Sequence, residues 1–525
     1  MTTRTIKRVW CGAIGAVLVT LPALHAADFR LGSPFADHMV LQCEKPVAFW
    51  GWADAGEAVT VAFAEQTKTA VAGADGKWAL TLDALQVSTE SRTLSVTGKD
   101  GRKVKVKDVL VGEVWFGSGQ SNMAMGVASA NNFDVEKAAA SFPLVRYYVD
   151  SSEAAEKPQA EGKGSWQECT PANVGRYSAT LYFFGREIHR EVGVPVGLMT
   201  ASSGATHIES WISAEAQCSD PDTKAEYDSQ LKSWINFTSG GEAKMRVEHE
   251  KKLADWKLAV EQGKAEKKDR PNDRLIAHIK GKGSPAGLYN GRVFNLAPFT
   301  LRGILWYQGE SNTGLPRPGQ PHLYRKQLSQ LVTSWRALWG DELPFAWVQL
   351  PNFTAPHEGW PRVREAMLQA LELPKTGMAI TIDIGDPKNI HPTNKQEVGR
   401  RLSLWALGTV YGKNVAATSG PLPAGSSVGG SAITVSFKHA NGGLKTQDGG
   451  PVKGFQIAGA DRQWRPATAK IDGDTVVISS PDVASPVAVR YAWLDNPDCN
   501  LCSEADLPAS PLRTDDWPIV AVEKK

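Results

Sequence analysis

Between residues 109 and 408, short apolar runs alternate with stretches of helical length, and no other feature of the chain narrows its fold as far. The strand candidates are 114–116, 196–200, 303–307, 345–350 and 378–382. The helical candidates between and after them are 178–192, 324–338, 363–373 and 395–408. Strands that alternate with helices build a parallel sheet covered by helices on both faces, an α/β unit. In such a sheet functional residues gather beyond the carboxyl ends of the strands. Ser121, Gly204, Gln308 and the loop 383–391 all follow strand candidates.

The flanks have a different texture. Residues 28–108 read as all-β, with alternating runs at 47–50, 58–62, 78–82 and 92–96. Asp75-Gly76 and Asp100-Gly101 are hairpin-turn signals, and strand after strand without helices predicts a sandwich. Residues 223–280 interrupt the sheet pattern. Within them 243–268 is highly charged, with Leu253, Trp256 and Leu258 scattered through it. It reads as a helical surface insertion, or in a sharper version as a lid over a substrate cleft. The Gly-, Pro- and Ser-rich stretch 420–430 reads as a boundary or long loop. Strand candidates resume at 432–437, 454–458, 475–479 and 487–493. The predicted units are therefore a leader at 1–27, a β-sandwich at 28–108, an α/β catalytic domain at 109–418 and a C-terminal β-sandwich-like domain at 431–518.

A chain of 525 residues is too long for one core, which agrees with several domains. Residues 1–27 have the pattern of a secretory signal: basic Arg4, Lys7 and Arg8, an apolar stretch at 9–23, and small Ala26 and Ala27. The position three before the cleavage point, Leu24 or His25, is imperfect. The pattern predicts a periplasmic or secreted protein. Loss of those three basic residues leaves the chain near neutral, so neither nucleic acid nor an anionic membrane surface is indicated as a partner. The 18 tryptophans are read mainly as core, although exposed ones would suit the C–H faces of sugar rings. Beyond the leader stand Cys43, Cys169, Cys218, Cys499 and Cys502, an odd number. Cys499-x-x-Cys502 reads as a structural loop, because no second Cys/His pair lies nearby to complete a metal site.

The chemistry centres on Gly119-Gln120-Ser121-Asn122-Met123, which follows the apolar run 111–116. A serine on a tight turn at a strand end presents its hydroxyl at a sheet edge, where nucleophilic serines of α/β hydrolases sit. The spacing is not G-x-S-x-G, since Met stands at 123. A serine hydroxyl needs a base, and imidazole is poised for that near neutrality. His391, in a Pro-flanked loop after a strand, is the candidate, with His207 as its rival. No phosphate loop, dinucleotide fingerprint or HExxH is present, and nothing in the sequence requires a metal or an organic cofactor.

GQSNM at 119–123, WYQGESN at 306–312 and DIGDPKNIHPTNK at 383–395 stand in an order and spacing that resemble the sialate O-acetylesterase family of SGNH-type hydrolases. Met39-Val-Leu-Gln42, Trp50-Gly-Trp52, Gly76-Lys-Trp78 and Pro511-Leu-Arg-Thr-Asp515 extend the resemblance along nearly the whole chain. The resemblance implies Ser121 as nucleophile and His391 as base. It implies an oxyanion hole from the N–H groups of Ser121 and Gly204 and a side-chain amide of Gln308 or Asn312. The acidic partner stays open: the D-x-x-H position is Lys388, position 389 is Asn, the nearby carboxylates are Asp386 and Asp383 and the distant one is Glu310, and the choice lies between Asp386, Glu310 and neither. Gln120, Thr206, Glu209 and Trp211 are expected to bind substrate along the cleft wall, and Arg364-Glu365 to be structural. The implied activity is removal of O-acetyl groups from carbohydrate, sialic acid or a polysaccharide such as acetylxylan. The rival class is a non-catalytic carbohydrate-binding protein on the same scaffold.

Overall fold

The architecture hangs on one strand. In this computed structural model, which describes residues 29–518 except 272–275, 277, 278, 280–283, 315–319 and 356–358, seven described strands precede it. They are β1 (Arg30–Leu31), β2 (Val40–Gln42), β3 (Val47–Trp52), β4 (Ala58–Phe63), β5 (Gln66–Val71), β6 (Lys77–Leu82) and β7 (Ser88–Thr97). Then comes β8, Lys103–Gly119. Its first half pairs antiparallel with β7, and Leu110–Gly112 also run parallel to β2. Its second half lies in the interior of a second sheet. Burial changes along it accordingly: exposed and buried residues mix up to Asp108, and from Val109 to Gly119 every residue is buried. Mixed exposure is the signature of a strand with one solvated face, and continuous burial that of a parallel strand covered on both sides. The boundary expected between 108 and 109 thus falls inside a continuous strand.

The second sheet adds β9 (Phe142–Asp150), β10 (Gly164–Cys169), β11 (Val196–Ser202), β12 (Gly303–Tyr307), β13 (Phe345–Val348) and β14 (Thr376–Ala379). Its order is β10-β9-β11-β8-β12-β13-β14. All neighbours run parallel except β10, an antiparallel edge strand. β9 and β10 lie outside the strand candidates read from sequence.

Helices cover both faces, and the side chains of β12 alternate between them. Ile304 and Trp306 face Leu331, Trp335 and Met367 of helices Gln320–Trp339 and Gly359–Gln369. Leu305 and Tyr307 face Phe183, Leu402 and Trp405 of helices Ala179–Val192 and Lys395–Trp405. The ends of Ala179–Val192 are set locally. Ser178 Oγ accepts from Leu181 N at 3.2 Å, and Gly193 leaves the helix at φ +77. The charged insertion forms helices Pro221–Asn236 and Glu242–Glu261, and the second buries no residue. A helix polar all round has no face to pack, so it stays on the surface.

Before β8, residues of both N-terminal sheets share one apolar core, including Val47, Phe49, Val59, Val61 and Val96. After residue 420 the expectation of a loop needs correction. Leu422–Gly429 is a strand, paired antiparallel with Ala432–Lys438 through a turn at Gly430, φ +59. It is an edge strand exposed along most of its length, where Pro and Gly are tolerated and no apolar pattern is needed. Two four-stranded antiparallel sheets here enclose Ile433, Val435, Ile457, Val476 and Val489. Cys499 and Cys502 are free thiols, not a disulfide. Among the described residues no helix is long and apolar enough to cross a membrane; the expected leader, 1–27, lies outside them.

Arg364 ties the C-terminal sheets to the rest. It is fully buried and donates to the carbonyls of Leu350, Pro351, Leu494 and Asp495 at 2.6–2.9 Å. Burial pulls its pKa down to about 9. Glu365, pointing the other way, holds Arg513. Adjacent residues on a helix face different directions, so the pair works as two separate anchors. Arg364→Met leaves buried carbonyls without donors and is expected to lower stability by roughly 3 kcal/mol, read from urea unfolding. An unchanged midpoint would refute the anchoring role.

Candidate active site

β8 ends at Gly119, whose φ of +143 lies where L side chains are strained. A β-carbon there would also collide with the carbonyl of Tyr307 on β12. Glycine therefore allows the chain to leave the sheet hard against its neighbour. Gln120 N then donates to Tyr307 O and Ser203 N to Gly119 O, both at 3.0 Å. These bonds fix the turn that opens the short helix Ser121–Ala124. Gly204 follows β11, and a β-carbon built on it would stand 3.7 Å from Ser121 Cβ. The two turns are thus in contact. The loop after β14 brings in His391. Ser121, Gly204 and His391 line one cleft of about 520 Å³ with Ala124, Met125, Ser129, Asn389 and Thr393.

His391 is half-buried, and its backbone N–H donates to Asn389 Oδ1 at 2.9 Å. Burial and, after it, the nearby Lys395 charge hold its pKa below the ordinary histidine value. The ring is therefore neutral at pH 7 and able to accept a proton. Among the described residues no carboxylate is paired with it. Asp386 Oδ1 accepts from Lys388 N at 2.8 Å and Asn389 N at 3.2 Å, which shapes the turn leading to His391. Glu310 is buried and accepts from Asn122 Nδ2 at 2.5 Å. Burial raises its pKa. His207 does not line the cleft.

The remaining expected site residues are inside the protein. Gln308 donates to Thr206 O at 3.0 Å and to Asn312 Oδ1 at 2.7 Å. Asn312 donates to Glu209 Oε2 at 3.1 Å, and Gln327 to Glu209 Oε1 at 3.0 Å. Trp211 Nε1 donates to Thr206 Oγ1 at 3.0 Å. Gln120 Oε1 accepts from the amides of Gly309 and Ser311 at 3.4 and 3.3 Å. Gln308, Asn312, Thr206, Glu209, Trp211 and Gln120 are all buried, and none lines the cleft. Their polar atoms bind one another because a buried polar group without a partner is costly. The network braces the turns after β8, β11 and β12. It does not expose the amides expected at an oxyanion hole or the cleft wall expected from Thr206, Glu209 and Trp211.

A residue that sequence reading passed over sits directly beneath the cleft. Lys395, first in helix Lys395–Trp405, is fully buried. Its Nζ donates to Asn122 Oδ1 and Pro392 O, both at 2.7 Å. Asn122 Nδ2 in turn donates to Ile390 O at 3.0 Å. The available signal was a lysine one place after a capping asparagine, since the positive end of a helix disfavours cations. Asn394 Oδ1 does cap the helix, accepting from Glu397 N at 3.3 Å.

Among the described residues two clusters carry metal-ligand atoms, His38–Asp108–Glu168 and Cys43–Glu44–Glu113. Each already holds a guanidinium. Arg146 lies 2.5 Å from Asp108 and 3.0 Å from Glu168, and Arg302 lies 2.6 Å from Glu113. Both are ion-pair clusters, remote from the cleft. What the cleft offers is a hydroxyl, a neutral imidazole and backbone at two turns. These are the parts for nucleophilic attack on an acyl carbon with base assistance.

Comparison with known proteins agrees with this chemistry. The profile of a family described as carbohydrate esterase, sialic acid-specific acetylesterase, matches residues 288–406. A crystal structure of a carbohydrate acetylesterase from Xanthomonas citri is similar at 35% identity and a TM-score of 0.78, covering 93% of this chain and 100% of that one. The sialate O-acetylesterase of Mus musculus is 29% identical over 92% of this chain and 92% of its own. That of Rattus norvegicus is 29% identical over 75% and 76%.

Labelling by an organophosphonate serine probe checks the arrangement. It is expected at Ser121 and absent in Ser121→Ala. Its rate should fall as pH drops through one ionisation with a midpoint below 6.5, because the lowered His391 pKa keeps the base form to more acidic pH. Asp386→Asn keeps the turn acceptor, so the rate should change less than about tenfold. Loss of an acid that orients the histidine would cost about 10⁴-fold.

Proposed function

This chain belongs to the sialate O-acetylesterase family of carbohydrate esterases and is a carboxylic ester hydrolase, and from that premise we propose that it removes O-acetyl groups from carbohydrate through an acetyl-serine intermediate on Ser121. The observation that carries the mechanism is the shared cleft of Ser121, Gly204 and His391. Ser121 Oγ attacks the acetyl carbonyl while His391 takes its proton. The oxyanion is held by the backbone N–H groups of Ser121 and Gly204. The sugar oxygen leaves with the proton from His391. Water, activated by the same imidazole, then attacks the acetyl-enzyme and releases acetate.

We propose a Ser–His pair as the reacting unit. The engagement of Asp386 by turn amides and of Glu310 by Asn122 supports this choice over a triad through either carboxylate. The internal bonding of Gln308 and Asn312 supports an oxyanion hole built from main chain. The parallel sheet with a serine at the tip of an inner strand fits the SGNH-hydrolase arrangement, with a catalytic unit from the second half of β8 to about 418, between an N-terminal β unit and a C-terminal one that includes Leu422–Gly429. The composition of residues 1–27 supports export to the periplasm or beyond.

The substrate class is O-acetylated sialic acid on the family description; a second reading, an acetylated polysaccharide, is compatible with the broader description of the Xanthomonas citri relative as a carbohydrate acetylesterase. Acetate release from 9-O-acetylated sialic acid and from acetylated xylan, measured side by side, separates them. Ser121→Ala and His391→Ala are each expected to lose at least about 10⁴-fold in kcat/KM, and the double variant little more, because the two act as a unit. Retained hydrolysis in Ser121→Ala would overturn the mechanism.

A further inference from the structure

We propose that Lys395 is a positioning residue of the reaction: its buried ammonium locks the loop carrying His391 to the turn carrying Ser121. The inference rests on the roles given to those two residues and adds what holds them in register.

The bonds are specific to that task. Lys395 Nζ takes the carbonyl immediately after His391, that of Pro392, and the side chain immediately after Ser121, that of Asn122. Asn122 Nδ2 takes the carbonyl immediately before His391, that of Ile390, and also Glu310 Oε1. The carbonyls of both residues flanking the histidine, Ile390 and Pro392, are therefore tied to one lysine–asparagine pair. That pair adjoins the nucleophile in sequence. The arrangement joins the three sequence blocks at 119–123, 306–312 and 383–395 in one place beneath the cleft.

The location is costly by ordinary rules. A lysine with no exposed surface loses its hydration, and the first position of a helix adds the unfavourable end of the backbone dipole. Burial pulls the Lys395 pKa down to about 7, and the Glu310 carboxylate opposes that shift. The groups facing the ammonium are Asn122 from the helix after β8, the Tyr307 ring at 5.3 Å from β12, Glu310 from the turn after β12, and Pro392 O from its own loop. Departures from local rules of this kind concentrate where a protein trades stability for function. The lysine charge also acts on His391, lowering its basicity. One residue thus holds the imidazole in place and, after burial, adds to what keeps it unprotonated.

The test uses the full chain with a small aryl acetate and three variants: Lys395→Met, Lys395→Gln and Ser121→Ala. Folding is followed by thermal unfolding. Positioning predicts that kcat falls about 10²-fold in Lys395→Met, as misplacement of reacting groups by about 1 Å can cost that much, with KM within about threefold. Lys395→Gln, which keeps an N–H donor, should lose less. In both, the acid limb of the kcat/KM profile should move to higher pH, because the charge that lowers the His391 pKa is gone. The limb reports loss of the charge, whereas a merely structural lysine would leave kcat unchanged in every variant that folds. If Lys395→Met fails to fold, Lys395→Gln carries the same two expectations. Folded variants with unchanged kcat would overturn the proposal, as would failure of both variants to fold, which would assign Lys395 to stability alone. Activity remaining in Ser121→Ala would instead refute the underlying reading of the site, whatever the lysine variants do.

Discussion

Everything in this molecule is arranged around a strand that must satisfy two different sheets. The first half of β8 belongs to an antiparallel β layer and its second half to a parallel sheet wrapped in helices. The switch is possible because the sequence changes from charge-rich 103–108 to the apolar run that follows, so the same backbone direction serves one solvated environment and one dry one. The strand finishes at a glycine pressed against β12, and the turn beyond it inherits its position from both neighbours. Ser121 owes its place to that packing.

The parallel sheet was legible because strands buried on both faces are plain apolar runs, and the helices between them have helical length. The two strands left unread, Phe142–Asp150 and Gly164–Cys169, lie toward the edge, and their sequences mix Pro143, Arg146 and Glu168 with apolar residues. Leu422–Gly429 was hidden for the opposite reason. An exposed edge strand held mainly by backbone bonds carries little side-chain signature and looks like a loop. Within the insertion, helix Glu242–Glu261 buries no residue, because its charges leave no apolar face to pack.

At the site, the sequence blocks pointed to residues that share a cleft but not to the orientation of each side chain. Ser121, Gly204 and His391 meet at one cleft. Gln120, Thr206, Glu209, Trp211, Gln308 and Asn312 turn inward instead. A motif tells which residues accompany a reaction; it does not tell whether a given amide faces solvent or a neighbouring carbonyl. That is decided by where a buried partner is available, and the partners come from turns over a hundred residues apart, such as Ile208 with Asn312. Lys395 was overlooked for a related reason. A lysine in a polar loop sequence reads as solvated until the tertiary fold closes over it.

The guanidinium of Arg364 has a bearing on how such a protein could be divided. Two of its four carbonyl partners, Leu350 and Pro351, belong to the stretch just after β13, and the other two, Leu494 and Asp495, to the last β layer. The terminal sandwich is consequently no detachable appendage. A chain ended near residue 420 would keep the cation and lose half of its ligands, exposing a charge midway along helix Gly359–Gln369. Recombination that swaps this module for another would succeed only where the incoming domain offers main-chain oxygens at the same spot.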